Sequence, residues 1–181
     1  LGKRTDDRVP RLKDFVPLAE LDQLEFAGWD PIADNVYEAA RKAGVLEEKL
    51  LDQIRHRLEP IKPMPAVFDT RYVKKLDGPN VKKGKNWMEM ADQLREDIRR
   101  FKAEKKLDRM VMVWCGSTEI YLEQTPVHQT LKAFEEGMRN YDPAISPSMV
   151  YAYAALKERV PFANGAPNLT VDFPAMVELA K

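Results

Sequence analysis

Four short apolar stretches of this chain each end in residues that are suited to binding a nucleotide. These exits are Gly28–Asp30, Phe68–Asp69, Cys115–Thr118 and Asn164–Ala166. Glycine lets a ligand approach the backbone closely, exposed backbone N–H groups bind phosphate oxygens, and a carboxylate accepts hydrogen bonds from ribose hydroxyls. If the stretches are parallel strands, their exits meet at the sheet edge where open α/β folds bind ligands. The alternatives are ordinary turns after buried strands and, for Asp30, a cap on the helix that follows.

Catalytic side chains are harder to place from the sequence. Cys115 is the only cysteine, and it fits a small buried hydrophobic residue as well as a nucleophile. His56 and His128 lie far apart, and no CxxC or HExxH motif occurs, so we expect no dedicated metal site. We expect His56 to be solvated, whereas His128 could contact a ligand. Glu119 either binds a hydroxyl or caps its loop, and the sequence does not choose between these roles.

The apolar run Met110–Trp114 positions the Cys115–Thr118 exit. A short unbroken run rich in valine predicts a strand buried on both faces of a parallel sheet. Before it, a helix from about Trp87 to Lys106 carries apolar residues at three- and four-residue steps, with Asp97 among the charged residues expected outside. A helix that leads into a buried strand is typical of a βαβ crossover. We therefore predict an α/β fold with a mostly parallel sheet and helices on both faces.

Weaker patterns predict the remaining elements. Three lysines in the polar stretch Leu76–Asn86 could meet a phosphate, although a solvated, mobile surface loop is the preferred interpretation. Gly44 is placed to end the first helix, and Ser146 with Pro147 to begin a later one. The predicted strands are Leu24–Trp29, 66–68 and 160–163, and the predicted helices are 35–43, Leu46–Leu58 with its leucines turned inward, 127–138, 149–158 and 173–181.

Composition limits the function classes. The 181 residues are 44% hydrophobic, which is enough for one domain with its own core. Lys+Arg and Asp+Glu both number 29, so no net charge attracts nucleic acid or an anionic membrane. A lone cysteine and the absence of long apolar runs favour a cytoplasmic protein that does not span a membrane. The chain starts at Leu1 and stops in a predicted helix at Lys181, so we expect both ends to be cuts through a larger protein.

Several motifs together resemble those of the myo-inositol-1-phosphate synthase (inositol-3-phosphate synthase) family. They keep the order found in that family and cover about residues 20 to 181. The matching segments are G-W-D at Gly28–Asp30, N-x-Y-E-A-x-x-x-A-x-V-L at 35–46, R-x-D-I-x-x-F-K at 95–102, V-W-C-G-S-T-E at 113–119, I-S-P-S at 145–148 and P-F-A-N-G-A-P-N at 161–168. The family often has W-T-A-N-T-E and N-G-S-P-Q-N-T at two of these places, which indicates a divergent, prokaryotic type.

This resemblance implies an NAD-dependent isomerase that converts glucose 6-phosphate to inositol phosphate. In such an enzyme, NAD oxidises a sugar hydroxyl, the ketone permits an intramolecular aldol closure, and the NADH formed reduces the product. The resemblance places Asp30 at the adenosine side of NAD and Ala66 and Val67 beside the adenine. It also implies that Cys115, Gly116, Ser117 and Thr118 line the dinucleotide cleft, and that Gly165 and Ala166 approach NAD through their backbone.

The resemblance also sets expectations for the domain and its partners. Residues 1–181 would form part of a Rossmann-like NAD-binding domain, with the first glycine-rich βαβ unit before Leu1. The catalytic lysines and the oligomerisation region would follow Lys181, so we expect no catalytic residue in this chain. We expect a sugar-phosphate substrate and a homo-oligomer, with no nucleic acid or membrane partner. The rival hypotheses are a non-catalytic nucleotide-binding or assembly module with the same sheet, and a sheet that is purely structural.

Overall fold

The computed structural model describes residues 11–181, and the sequence-based expectations for residues 1–10 lie outside them. The helices are α1 (Val36–Ala43), α2 (Glu48–Leu58), α3 (Trp87–Lys105), α4 (Leu131–Arg139), α5 (Pro147–Lys157) and α6 (Pro174–Ala180); the strands are β1 (Met112–Trp114) and β2 (Phe162–Asn164). Single turns of 3₁₀ helix occur at Leu12–Asp14, Leu21–Gln23 and Pro126–His128. None of the helices among these residues is both long and apolar enough to cross a membrane.

The two strands run parallel, with Met112 opposite Phe162 and Trp114 opposite Asn164. α4 and α5 lie between them in the chain, so the connection is a helical crossover, and the predicted α/β class is confirmed. Two isolated bridges, Trp29 to Met64 and Ala66 to Val81, are parallel as well.

The prediction of a full strand was wrong for two segments. Leu24–Trp29 and the segment 66–68 each retain only one of the isolated bridges. Pro63 and Pro65 flank the first bridge partner and lack the N–H donors that a longer ladder needs. Phe26, which was predicted to lie within a strand, is 64% exposed.

α5 is the centre of the core. All residues from Pro147 to Ala155 are buried, and its alanines allow α3 to pack closely against it. The predicted apolar stripe of α3 is confirmed, because Trp87, Met90, Ala91, Leu94 and Ile98 are all buried. Gly44 ends α1 with φ near +63°, as predicted.

The prediction that the apolar run at β1 is buried on both faces was wrong. Val111 is 66% exposed and Val113 is 57% exposed, whereas Met112 and Trp114 pack against the core. Successive strand residues point to opposite faces, and the described residues cover only one face of the β1–β2 pair. The inward side predicted for α2 is also mostly exposed, since only Leu51 of that helix is buried.

The prediction that Asp97 faces solvent was wrong, and so was the interpretation of Lys82 as part of a solvated loop. Both side chains are 7% exposed, and Lys82 Nζ lies 2.6 Å from Asp97 Oδ2. Trp29 Nε1 donates to the same oxygen at 2.8 Å, and Arg100 donates to Oδ1 at 2.6 Å. Burial by itself raises the pKa of Asp97, but the hydrogen bonds from Lys82 and Trp29 hold it below its usual value. The carboxylate thereby joins the Lys82 loop and the Gly28–Asp30 exit to α3.

We expect Lys82→Met to lower the free energy of unfolding by about 3 kcal/mol, because it leaves the Asp97 carboxylate without its buried cation and only the half-exposed Arg100 remains. Lys83→Met is the matched control, since Lys83 is exposed and we expect an effect within about 0.5 kcal/mol. Denaturant titration of both variants measures the difference. Equal stability of the two variants would contradict the buried ion pair.

His128 is a buried structural residue and was not identified as such from the sequence. Its Nδ1 accepts from the backbone N–H of Thr125 at 3.0 Å, and its Nε2 lies 3.1 Å from the carbonyl oxygen of Ala144. These partners require the tautomer with the proton on Nε2. Burial lowers the pKa of His128 below its usual value.

This lowered pKa predicts a loss of stability in mild acid. As the pH falls through the ordinary histidine pKa of about 6.5, the unfolded chain binds a proton that the folded chain does not, so folding becomes less favourable. We expect the midpoint of denaturant unfolding to fall between pH 7.5 and pH 5.5 more in the wild type than in His128→Gln. The same pH dependence in both proteins would exclude His128 as its source.

Candidate functional site

The exits of β1 and β2 lie side by side. The backbone N–H of Gly165 donates to the carbonyl oxygen of Trp114 at 2.9 Å, which extends the parallel pairing by one residue beyond the strands. The predicted ligand-binding stretches Cys115–Thr118 and Gly165–Ala166 therefore begin next to each other. Cys115, Gly116, Ser117, Thr118 and Gly165 are exposed, and Ala166 is half-buried.

Both glycines of these exits sit where a side chain does not fit easily. A Cβ on Gly165 would lie 2.8 Å from the carbonyl oxygen of Trp114, and one on Gly116 would lie 3.2 Å from the Trp114 ring. Bare backbone is therefore required where the two exits approach each other, and it leaves the peptide groups open to a ligand.

The other two exits reach the same region through Tyr151 of α5. The ring centroid of Tyr151 lies 5.3 Å from that of Trp114 and 5.4 Å from that of Trp29, which are the residues immediately before Cys115 and Asp30. The Tyr151 hydroxyl accepts from the backbone N–H of Val67 at 2.9 Å. The ends of three predicted strands thus meet around one buried ring. Ala66 and Val67 are themselves buried, at 4% and 2% exposure.

Asp30 does not cap α1, so that alternative was wrong. Asn35 caps the helix instead, accepting from the N–H of Glu38. Asp30 Oδ1 accepts from the backbone N–H of Ile32 at 2.8 Å, and the backbone of Asp30 pairs with Met64. The residue is exposed, and Oδ2 makes no hydrogen bond with any residue in the range 11–181. The carboxylate is fixed by one oxygen and presents the other to solvent.

Two further exit residues, Cys115 and Asp69, differ in exposure and in their contacts. Cys115 is exposed, so the interpretation as a buried hydrophobic residue was wrong. Asp69 closes a tight turn, accepting from the backbone N–H of Arg71 at 2.8 Å and pairing with its guanidinium. Burial raises the pKa of Asp69, but the hydrogen bonds from Arg71 outweigh it and leave the pKa lowered. Asp69 is thus committed to its own turn.

The carboxylate of Glu119 lies in a buried network of hydrogen bonds near the exits. It is 4% exposed, accepts from the backbone N–H of Ser148 at 2.8 Å through Oε1, and accepts from the Ser148 hydroxyl at 2.6 Å through Oε2. Asn168 Nδ2 donates to Oε2 at 3.2 Å. Burial raises the pKa of Glu119, and the hydrogen bonds from Ser148 oppose that rise. Glu119 therefore caps α5 from a distant loop and also binds a hydroxyl, that of Ser148.

Sequence reasoning missed the partners of Glu119, which are Ser148 and Asn168, and also Thr170, which bonds to both of those residues. One signal for them was present. Ser146 begins α5 as predicted, but its side chain makes no capping hydrogen bond, and the first turn of the helix carries no acidic residue. A helix start that lacks a local acceptor needs one from elsewhere in the chain.

Two buried polar atoms in this region have no hydrogen-bond partner among the described residues. They are Trp114 Nε1, a donor, and Asn168 Oδ1, an acceptor. Buried polar atoms are usually paired, so each is available to a water molecule or a ligand.

Comparison with known proteins agrees with this geometry. The family model of the NAD-binding domain of myo-inositol-1-phosphate synthase matches residues 1–181. The chain belongs to this family. It is 51% identical over 171 residues to inositol-3-phosphate synthase 1 of Bacteroides thetaiotaomicron, covering 94% of this chain and 40% of that protein. It is 34% identical over 172 residues to inositol-3-phosphate synthase 1 of Oryza sativa, covering 93% of this chain and 33% of the relative.

A solved structure is similar as well. The crystal structure of inositol-3-phosphate synthase from Caenorhabditis elegans matches with a TM-score of 0.87 at 32% identity, over 93% of this chain and 34% of that one. The chain thus spans between about a third and two fifths of the length of these relatives. Family membership confirms the recognition of the family and of NAD as the cofactor, both of which were expected from the sequence.

The residues at the exits fit a dinucleotide. Bare glycine backbone at Gly116 and Gly165 and the exposed carboxylate of Asp30 offer the groups that phosphates and a ribose need. The individual roles of Asp30, Ala66, Val67, 115–118 and 165–166 stay predictions.

We expect Gly165→Ala to lower the free energy of unfolding by about 1–3 kcal/mol, because its Cβ would collide with the Trp114 carbonyl and push the two exits apart. Gly28→Ala is the matched control, since nothing lies within 4 Å of a Cβ at that position. Thermal unfolding of both variants tests the contact. A Gly165→Ala protein as stable as Gly28→Ala would show that the exits do not approach so closely.

Proposed function

We propose that residues 1–181 are part of the NAD-binding domain of an enzyme that converts glucose 6-phosphate to inositol phosphate. The observation that carries this proposal is the meeting of the β1 and β2 exits through bare glycine backbone, in a chain whose family is built on an NAD-binding domain. The glycine-rich first βαβ unit and the catalytic lysines belong to other parts of the enzyme, so no catalytic residue is assigned here. This chain supplies a large part of the cofactor cleft.

Each exit has its own task in this proposal. Asp30 accepts a hydrogen bond from a ribose hydroxyl on the adenosine side, and Ala66 and Val67 support the adenine. Cys115, Gly116, Ser117 and Thr118 line the middle of the cleft, and Gly165 and Ala166 bring their backbone close to the cofactor. Bound NAD would supply reversible hydride transfer with the carbon that bears a sugar hydroxyl, so the overall reaction would have no net redox change. The residues of this chain bind and orient it.

The partners follow from the same proposal. The substrate is a sugar phosphate, and the enzyme works in the cytoplasm as a homo-oligomer, without nucleic acid or membrane. Exposed apolar side chains support a larger assembly, since Leu21 is 84% exposed and Phe15 is 68% exposed. They belong to a run of exposed apolar side chains between residues 12 and 26, and large exposed apolar surfaces mark sites of contact with other protein.

We expect Asp30→Asn in the full-length enzyme to weaken NAD binding about tenfold, which equals roughly 1.4 kcal/mol for the loss of a charged hydrogen bond. Asparagine still accepts from the Ile32 N–H, so the local turn and the fold persist. Asp34→Asn is the control, because Asp34 lies on the same surface but pairs with Lys42. Calorimetric titration with NAD measures the affinities.

Two outcomes would contradict the proposal. Unchanged NAD affinity in Asp30→Asn removes Asp30 from the site. A full-length protein that binds NAD but does not turn over glucose 6-phosphate favours the non-catalytic nucleotide-binding module instead.

A further inference from the structure

The buried Glu119 carboxylate connects three segments that are separate in the chain. It follows directly after the predicted cofactor-lining residues Cys115–Thr118. Through Ser148 it holds the N-terminus of α5, and through Asn168 it holds the end of the β2 exit loop. The next residue, Ile120, donates its N–H to the carbonyl oxygen of Tyr72 at 2.8 Å, which adds the segment after Asp69.

The β2 exit loop comprises residues 164–168, and hydrogen bonds of Asn168 hold its far end in place. Asn164 Oδ1 accepts from the N–H of Ala166 at 3.1 Å, and Asn164 Nδ2 donates to the carbonyl oxygen of Asn168 at 3.2 Å. These bonds close a short loop that contains Gly165 and Ala166. The start of the loop is anchored by Gly165 on Trp114, and its end by Asn168 on Glu119, Ser148 and Thr170.

We infer that Glu119 is a positioning residue for the cofactor cleft, which sets the separation of the 115–118 and 165–166 loops without touching the cofactor. This inference rests on the function proposed above. One carboxylate oxygen caps α5, and the other is shared by Ser148 and Asn168. Movement of either loop away from the other breaks a hydrogen bond to a buried charge-bearing group, which costs more than breaking a solvated one.

The alternative is that Glu119 serves only as a helix cap. A cap needs only Oε1 and the Ser148 N–H. The second oxygen goes to Asn168, which is at the end of the opposite loop and belongs to no helix. That contact has no capping role, and it is what distinguishes a positioning residue from a cap.

The variant Glu119→Gln in the full-length enzyme tests the contact with Asn168 separately from the helix cap. It changes the volume of the side chain very little. The glutamine carbonyl can still accept from the Ser148 N–H, so the cap is kept. Its NH₂ group replaces Oε2 and then faces the NH₂ group of Asn168, and two donors cannot bond. We expect the dissociation constant for NAD to rise about tenfold, because a repulsive pair of donors replaces one of the three anchors of the β2 exit loop.

A matched control exists at the opposite side of the core. Glu178 Oε2 in α6 accepts from the backbone N–H of Leu131 at 2.8 Å, so it too caps a helix from a distant element. It contacts neither exit loop. The glutamine carbonyl can accept the same bond, so Glu178→Gln tests what the loss of charge at a remote helix cap does by itself, and we expect NAD affinity within twofold of the wild type.

A second variant tests the same contact in case Glu119→Gln folds poorly. Asn168→Ala leaves both oxygens of Glu119 on Ser148 but removes the three Nδ2 bonds, to Glu119, Ser148 and Thr170, that anchor the loop end, and we expect NAD to bind about tenfold more weakly. In the double variant Glu119→Gln, Asn168→Ala, we expect no further loss beyond the larger single effect, since both changes break the same contact. Melting temperatures are recorded for every protein, so that affinity is compared with stability.

The outcomes separate the two proposals. A wild-type enzyme without NAD binding overturns the proposed function and this inference with it. A wild type that binds NAD, with Glu119→Gln or Asn168→Ala within twofold of its affinity, overturns the positioning role alone. Loss of affinity in Glu178→Gln equal to that in Glu119→Gln also overturns it, because the effect would then follow from helix capping.

Discussion

The structure depends on the burial of α5 from Pro147 to Ala155. A helix that lies inside the protein cannot use water to satisfy the N–H groups of its first turn, so other parts of the chain must supply acceptors. At α5 the local residues do not, because Ser146 makes no side-chain cap and no acidic residue lies in the first turn. Glu119 fills this role from the segment after β1. A packing requirement in the core thereby fixes the position of the loop that follows the first strand.

The same helix also arranges the strand ends. Its small residues let α3 and β2 approach, and the ring of Tyr151 meets the tryptophans that precede two of the exits. Aromatic packing against Tyr151 and the hydrogen bonds of Glu119 therefore hold the exits in place. Parallel pairing supplies the remaining constraint, since it directs both strand ends to one edge. A preorganised edge of this kind binds a ligand without first having to order its own loops.

Local patterns in the sequence predicted those elements whose information is local. The apolar stripe of α3, the glycine end of α1 and the Ser-Pro start of α5 all follow from neighbouring residues, and all three are confirmed. Errors arose where burial depends on distant partners. Val113 is exposed although its run is fully apolar, and Asp97 is buried although charged, because Lys82 and Trp29 come to it from elsewhere in the chain.

The sequence by itself determined the α/β class, the family, and the glycine and polar character of the strand exits, because residue types and their spacing carry that information directly. Only the tertiary structure decided which of these residues meet. It paired Gly165 with Trp114, gave the α1 cap to Asn35 and not Asp30, and joined Glu119 to Asn168. Such contacts join residues up to several dozen positions apart, and their formation depends on how the whole core packs. No local pattern encodes that packing.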